Sequence, residues 1–230
     1  GEFYSSRIER EVEKVRVCRE AVGNDFDFVL EVHRGMTLPE AVAFGRAVEP
    51  YRPMILEDPV PPDNVDTMAE VASKVGVPIA TGERMFSRWD FKSLLSDGYV
   101  DIIQPDLSHA GGISECRKIA AMAEAYDVAV APHCPLGPIA LAACVQMDTC
   151  TPNVFIQEQS LGIHYNQGSD LLDYLADKSV FAYENGFTKI LDGPGLGLEV
   201  NEELVQEVAR KGHNWKNPIW RNYDGTVAEW

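Results

Sequence analysis

Residues 28–33 read FVLEVH, 53–59 read PMILEDP and 77–84 read VPIATGER. Each stretch is a short apolar run that ends in a glutamate: Glu31, Glu57 and Glu83. The intervals are equal, 26 residues from Glu31 to Glu57 and 26 again to Glu83. One strand, one helix and two short loops need about that length. The spacing predicts that the three side chains stand at the same end of three successive strands. Converging carboxylates cannot all stay ionised without a positive partner. An oxygen-ligated divalent cation such as Mg²⁺ meets that need.

The same unit recurs along the chain. Apolar runs begin near Phe28, Met54, Val77, Val100, Val128 and Val154. Helical periodicity falls between them, over 38–48, 64–74, 88–95, 114–126 and 139–147. An amphipathic helix over 5–22 precedes the first run. Ser6 and Glu9 have capping-box spacing there, Ile8, Val12, Val15 and Val22 share a face, and Gly23 ends the helix. The result is a βα repeat with a period of roughly 25 residues. Beyond Glu158 the repeat breaks. A short helix over 171–175 and a helix over 202–210, capped by Asn201, are expected. The segment from about 160 to 230, with its aromatic end, is expected to pack on the outside of the repeat, so that 1–230 forms one domain.

Runs this apolar are buried on both faces, which means a parallel sheet. The sheet is either open and doubly wound or closed as a (β/α) barrel. Each run ends in an ionisable group: Glu31 with His33, Glu57, Glu83, Asp106, His133 and Glu158. An open sheet gathers its ligand groups at one crevice. A barrel turns every strand end toward one mouth. The pattern therefore predicts a TIM-type barrel. Six runs stand where eight strands are needed, so the barrel is expected to lack its first two strands, supplied by a preceding segment or another chain.

Composition narrows the function. The net charge is -16, from 36 acidic and 20 basic residues. That argues against nucleic acid or an anionic membrane as a partner. No apolar run reaches the ~18 residues of a membrane span. Cys18, Cys116, Cys134, Cys144 and Cys150 have no metal-type spacing. They read as small core residues in a reducing, cytoplasmic setting.

The strand-end groups suit one kind of chemistry. A cation held by Glu31, Glu57 and Glu83 keeps positions open for a substrate carboxylate and stabilises the enediolate formed when the adjacent carbon loses its proton. Asp106 stands one strand before His133, placed to orient its imidazole and raise its basicity. Glu158, one strand further on, can bind the substrate carboxylate. His33 lies two residues from Glu31, so strand alternation puts both on one face. There it can act as the acid that expels a hydroxyl. Base, metal and acid together specify elimination of water from a hydroxy acid. His109, His164 and His213 read as loop hydrogen-bonders.

The ligand triad, QPD at 104–106, GGI at 111–113, HCPLGPIALAAC at 133–144 and FIQEQSLGIHYNQG at 155–168 resemble the enolase superfamily. Within it they resemble the mandelate-racemase group, most closely the galactonate dehydratases and related acid-sugar dehydratases. Superfamily sites are known to pair a Lys or His base with Mg²⁺ around an ene-diolate; the resemblance, not the spacing, supplies that scheme. It implies Glu57 and Glu83 as metal ligands, His133 with Asp106 as the base dyad, Glu158 as the carboxylate-binding acid and His33 as the acid for the departing hydroxyl. It also implies a homo-oligomer acting on a small sugar acid. Two departures accompany it. The family usually carries Asp where Glu31 stands, and its N-terminal capping domain and two earlier strands are not in this sequence. Two alternatives stay open: a racemase or epimerase on the same scaffold, and an inactive fragment.

Overall fold

Five of the six apolar runs form a parallel sheet in strictly sequential order. The strands are β1 (Val29–Glu31), β2 (Ile55–Glu57), β3 (Ile79–Thr81), β4 (Ile102–Ile103) and β5 (Ala129–Val130). The computed structural model describes residues 3–161, 171–212, 219–221 and 225–227. The sixth run contributes no full strand. Val154 joins β5 through a single parallel bridge to Val130, and Phe155 N–H donates to the Val130 carbonyl at 3.1 Å.

The helices alternate with the strands as α1 (Tyr4–Val22), α2 (Leu38–Val48), α3 (Val65–Lys74), α4 (Arg88–Ser96), α5 (Gly112–Glu124), α6 (Pro138–Asp148) and α7 (Glu202–Lys211). Local chemistry sets most of the boundaries. Thr37 and Glu40 form a reciprocal capping box on α2, and the Asn64 side chain accepts from Asp66 N–H at the start of α3. Asn201 caps α7 through Leu204 N–H, and Gly212 follows its end. The expected box at Ser6 and Glu9 does not form. Helix α1 begins earlier, with Phe3 as its N-cap, so Ser6 is already inside it. Val22, expected on the buried face of α1, is exposed.

A doubly wound sheet reverses its strand order and carries helices on both faces. Here the order never reverses. Leu56, Ile79, Ile103 and Val130 point to one face and enter the large core made with the helices. Ile55, Ala80, Ile102 and Ala131 point to the other and form a separate small cluster. That division follows the two-residue alternation of strands. It is the architecture of a (β/α) barrel, with helices outside and a narrow inner layer. Phe91 and Leu94 of α4 and Ile119 of α5 are fully buried in the outer core. Each such side chain contributes about 1.5–3 kcal/mol by leaving water.

Of the later segment, Gln146 of α6 donates to the carbonyls of Leu191 and Leu196 at 2.6 and 3.2 Å, and Phe181 and Leu191 are buried in the main core. The expected helix over 171–175 is a 3₁₀ turn, Leu171–Tyr174. Most of the aromatic tail lies outside the described residues. Cys116, Cys134 and Cys144 are core residues as expected, whereas Cys18 and Cys150 are exposed. Among the described residues no helix is long and apolar enough to cross a membrane.

Candidate active site

In the β1–β2 pairing Glu31 stands directly opposite Glu57. Glu83 arrives differently, two residues beyond the end of β3, after a bend at Gly82. Gly82 has φ +140°, and a Cβ there would meet Phe91 Cε1 at 2.8 Å and Gln104 N at 3.0 Å. Only glycine allows that close approach. The three glutamates converge: one carboxylate oxygen from each lies within 4.8 Å of the others.

The electrostatics of this cluster are those of negative charge without enough compensation. Removal of its carboxyl from water and the charge of Glu57 push Glu31 up to about 9. Burial pushes Glu57 up to about 7, against hydrogen bonds from Glu31 and Gln104 that favour its charged form. Three crowded hard oxygen donors are a ligand set that fits a divalent cation such as Mg²⁺, whose charge would offset the repulsion.

His133 sits between this cluster and Asp106. Its Nδ1 is 2.8 Å from Asp106 Oδ2, and its Nε2 is 3.2 Å from Glu83 Oε2. Burial opposes charge on the imidazole, but the Asp106 hydrogen bond and the carboxylates of Glu158 and Glu83 outweigh it and hold its pKa above the usual value. Asp106 is fully buried. Burial resists its charge as well, yet the bonds from His133 and from Ser108 N–H, with the nearby His109, keep it below the ordinary carboxylate range. Glu158 accepts from the Cys134 backbone N–H at 2.9 Å, which ties it to the residue after His133. Burial raises its pKa while His133 and that N–H pull it down.

His33 also reaches the site, but not by strand alternation. Strand β1 stops at Glu31, and His33 and Arg34 follow in the left-handed region, with φ of 53° and 62°. His33 N–H donates to the Glu31 carboxylate, and Arg34 Nη2 stands 2.9 Å from His33 Nε2. Burial and the Arg34 charge lower the His33 pKa. His109 lies at the rim, its Nδ1 3.7 Å from Asp106 Oδ2, with Phe86 packed edge-on against it. His164 and His213 lie outside the described residues.

Sequence reasoning missed four contributors: Arg34, Asp58, Thr81 and Gln104. Asp58 was in plain view beside Glu57, and Arg34 beside His33. Nothing in the linear pattern tells that the two meet.

A family profile described as enolase C-terminal domain-like matches residues 2–204. The chain belongs to that family. It is 53% identical to a D-galactonate dehydratase of Pectobacterium atrosepticum over 226 residues, covering 98% of this chain and 59% of the relative. It is 52% identical to a D-galactonate dehydratase of Ralstonia pickettii, with the same coverage of 98% and 59%. The chain thus spans about three fifths of the length of the curated relatives it matches. Among solved structures, an enolase of Agrobacterium radiobacter bound to sodium and L-malate superposes with a TM-score of 0.88 at 30% identity, over 99% of this chain and 59% of that one. A mandelate racemase/muconate lactonizing enzyme-like protein of Roseovarius sp. TM1035 superposes with a TM-score of 0.78 at 40% identity, over 87% and 48%.

Proposed function

We propose that the protein is a metal-dependent hydro-lyase that removes water from an acid sugar of the galactonate type, giving a 2-keto-3-deoxy sugar acid. The carrying observation is the place of His133, bonded to Asp106 on one side and 3.2 Å from Glu83 of the carboxylate cluster on the other. The identity with D-galactonate dehydratases supports the substrate class. A cytoplasmic, oligomeric enzyme acting on a small sugar acid, with no nucleic acid or membrane partner, completes the reading.

Glu31, Glu57 and Glu83 would hold the cation, Mg²⁺ in this reading. When bound, it supplies positive charge next to the substrate carboxylate, where negative charge develops as C2 loses its proton. Asp106 keeps the His133 proton on Nδ1, leaving Nε2 to take the C2 proton. Glu158 hydrogen-bonds the substrate carboxylate. His33 delivers a proton to the C3 hydroxyl, which leaves as water. The enol that remains tautomerises to the ketone.

The test is His133→Asn, assayed on a panel of aldonates with Mg²⁺ present. Loss of dehydration with metal binding intact is the expected result; full activity would remove His133 from the base role. Deuterium entering recovered substrate with inverted C2, with no 2-keto acid formed, would instead identify a racemase or epimerase.

A further inference from the structure

We infer that Arg34 is a positioning residue of the metal site: its guanidinium sets the orientation of Glu83 and ties together the ends of three strands. This inference rests on reading Glu31, Glu57 and Glu83 as metal ligands.

Arg34 is 5% exposed, an uncommon state for an arginine. Its Nη1 donates to Glu83 Oε1 and, at 3.0 Å, to Asp58 Oδ2. Its Nη2 stands 2.9 Å from His33 Nε2. One planar group thereby touches a candidate ligand, the neighbour of a second candidate ligand and the candidate acid. The backbone repeats the link, since Arg34 N–H donates to the Asp58 carbonyl at 2.7 Å. Asp58 is anchored in turn by the Thr81 hydroxyl, which donates to its other oxygen. Arg34 follows β1, Asp58 follows β2 and Thr81 ends β3, so the network spans the three strands that deliver the three glutamates.

The backbone supports a dedicated arrangement. His33, Arg34 and Asp58 all have positive φ, at 53°, 62° and 40°. Three non-glycine residues in that region, bonded to one another, mark strain kept for function. The geometry divides the Glu83 carboxylate. Arg34 occupies Oε1, and Oε2 faces His133. A carboxylate gripped on one oxygen presents the other in a fixed direction, which is how outer-shell partners raise metal affinity. Lysine cannot repeat this, because one ammonium lacks the flat fork that reaches several partners at once.

Charge and positioning make opposite predictions. If Arg34 served only as a counter-charge, removing it would strengthen cation binding, because a like charge would be gone. If it positions Glu83, removing it weakens binding. The probe is Mn²⁺, followed by electron paramagnetic resonance of the free ion, so the readout is independent of turnover. Arg34→Lys keeps the charge and loses the fork; Arg34→Gln loses both. Thermal unfolding without metal shows that each variant is folded, and Arg34→Lys is the variant to decide on should Arg34→Gln fail to fold. The expected result is Mn²⁺ affinity about 10–100-fold weaker in both variants. Wild-type affinity in Arg34→Lys, or equal or tighter binding in Arg34→Gln, would overturn the inference. Absence of Mn²⁺ binding by the wild-type protein would bring down the metal reading itself, and this inference with it.

Discussion

Glu31 and Glu57 face each other across the β1–β2 pairing, and Glu57 sits buried while Glu31 looks toward solvent. A cation held by this pair would depend on both, and Glu57 is in addition bonded by Gln104. Glu57→Gln is expected to weaken Mn²⁺ binding by more than about 100-fold, beyond the loss of an outer-shell partner. Glu31→Gln is expected to act in the same direction with a smaller effect. Isothermal titration calorimetry of both variants against wild type measures the order; a stronger effect at Glu31 would reverse the assignment of the dominant ligand.

Asp106 controls His133 without touching the candidate ligands. Asp106→Asn takes away both the orienting bond and the charge that lifts the imidazole pKa. Turnover should fall by about 10²–10⁴-fold, the range a positioned base supplies. The acid limb of kcat/KM should move to lower pH, because a His133 with a lower pKa stays unprotonated further down. Metal affinity should not change. A pH–rate profile with the acid limb unmoved would argue against the dyad.

Gly82 carries Glu83 around the bend after β3. Gly82→Ala places a methyl against Phe91 and the Gln104 backbone at a φ that alanine resists. The expected cost is about 2–4 kcal/mol of stability, read from the urea midpoint. Metal affinity should fall with it, since the bend aims Glu83.

Asp148 stands at the end of α6, and its Oδ1 is buried without a hydrogen-bond partner among the described residues. Burial pushes it up to about 7. A carboxyl whose folded pKa is raised binds its proton more tightly in the folded state. Stability from this group is therefore full below the ordinary aspartate value of about 4 and is lost as pH rises toward 7. Each pKa unit is worth about 1.4 kcal/mol, so ionising Asp148 costs on the order of 4 kcal/mol. Asp148→Asn should leave stability at pH 4 little changed and raise it at pH 8, measured by chemical denaturation at both. An equal effect at the two pH values would contradict this account.

The expectation for His33 shows where linear reasoning stops. Alternation along a strand predicts that it stands beside Glu31. The strand ends at Glu31, and two left-handed residues then carry the chain around. His33 reaches the cluster for another reason: its backbone N–H donates to Glu31 and its ring stands 2.9 Å from the donating Arg34 Nη2. The sixth apolar run departs from its expectation in a similar way. The run is present, but only Val154 bridges to β5.

Capping residues, apolar periodicity and the 26-residue interval determined the βα repeat, most of the helix boundaries and the level at which Glu31 and Glu57 stand. Those signals are local, because a helix or strand is decided by side chains a few positions apart. The Asp106–His133 pairing was legible in the sequence, but tertiary structure alone decided that Arg34, Asp58, Thr81 and Glu83 form one network and that the other side of His133 meets Glu83. Those contacts join residues 23 or more positions apart in the chain. They exist only once positive-φ turns aim the side chains, and those turns are not written in the spacing of residue types.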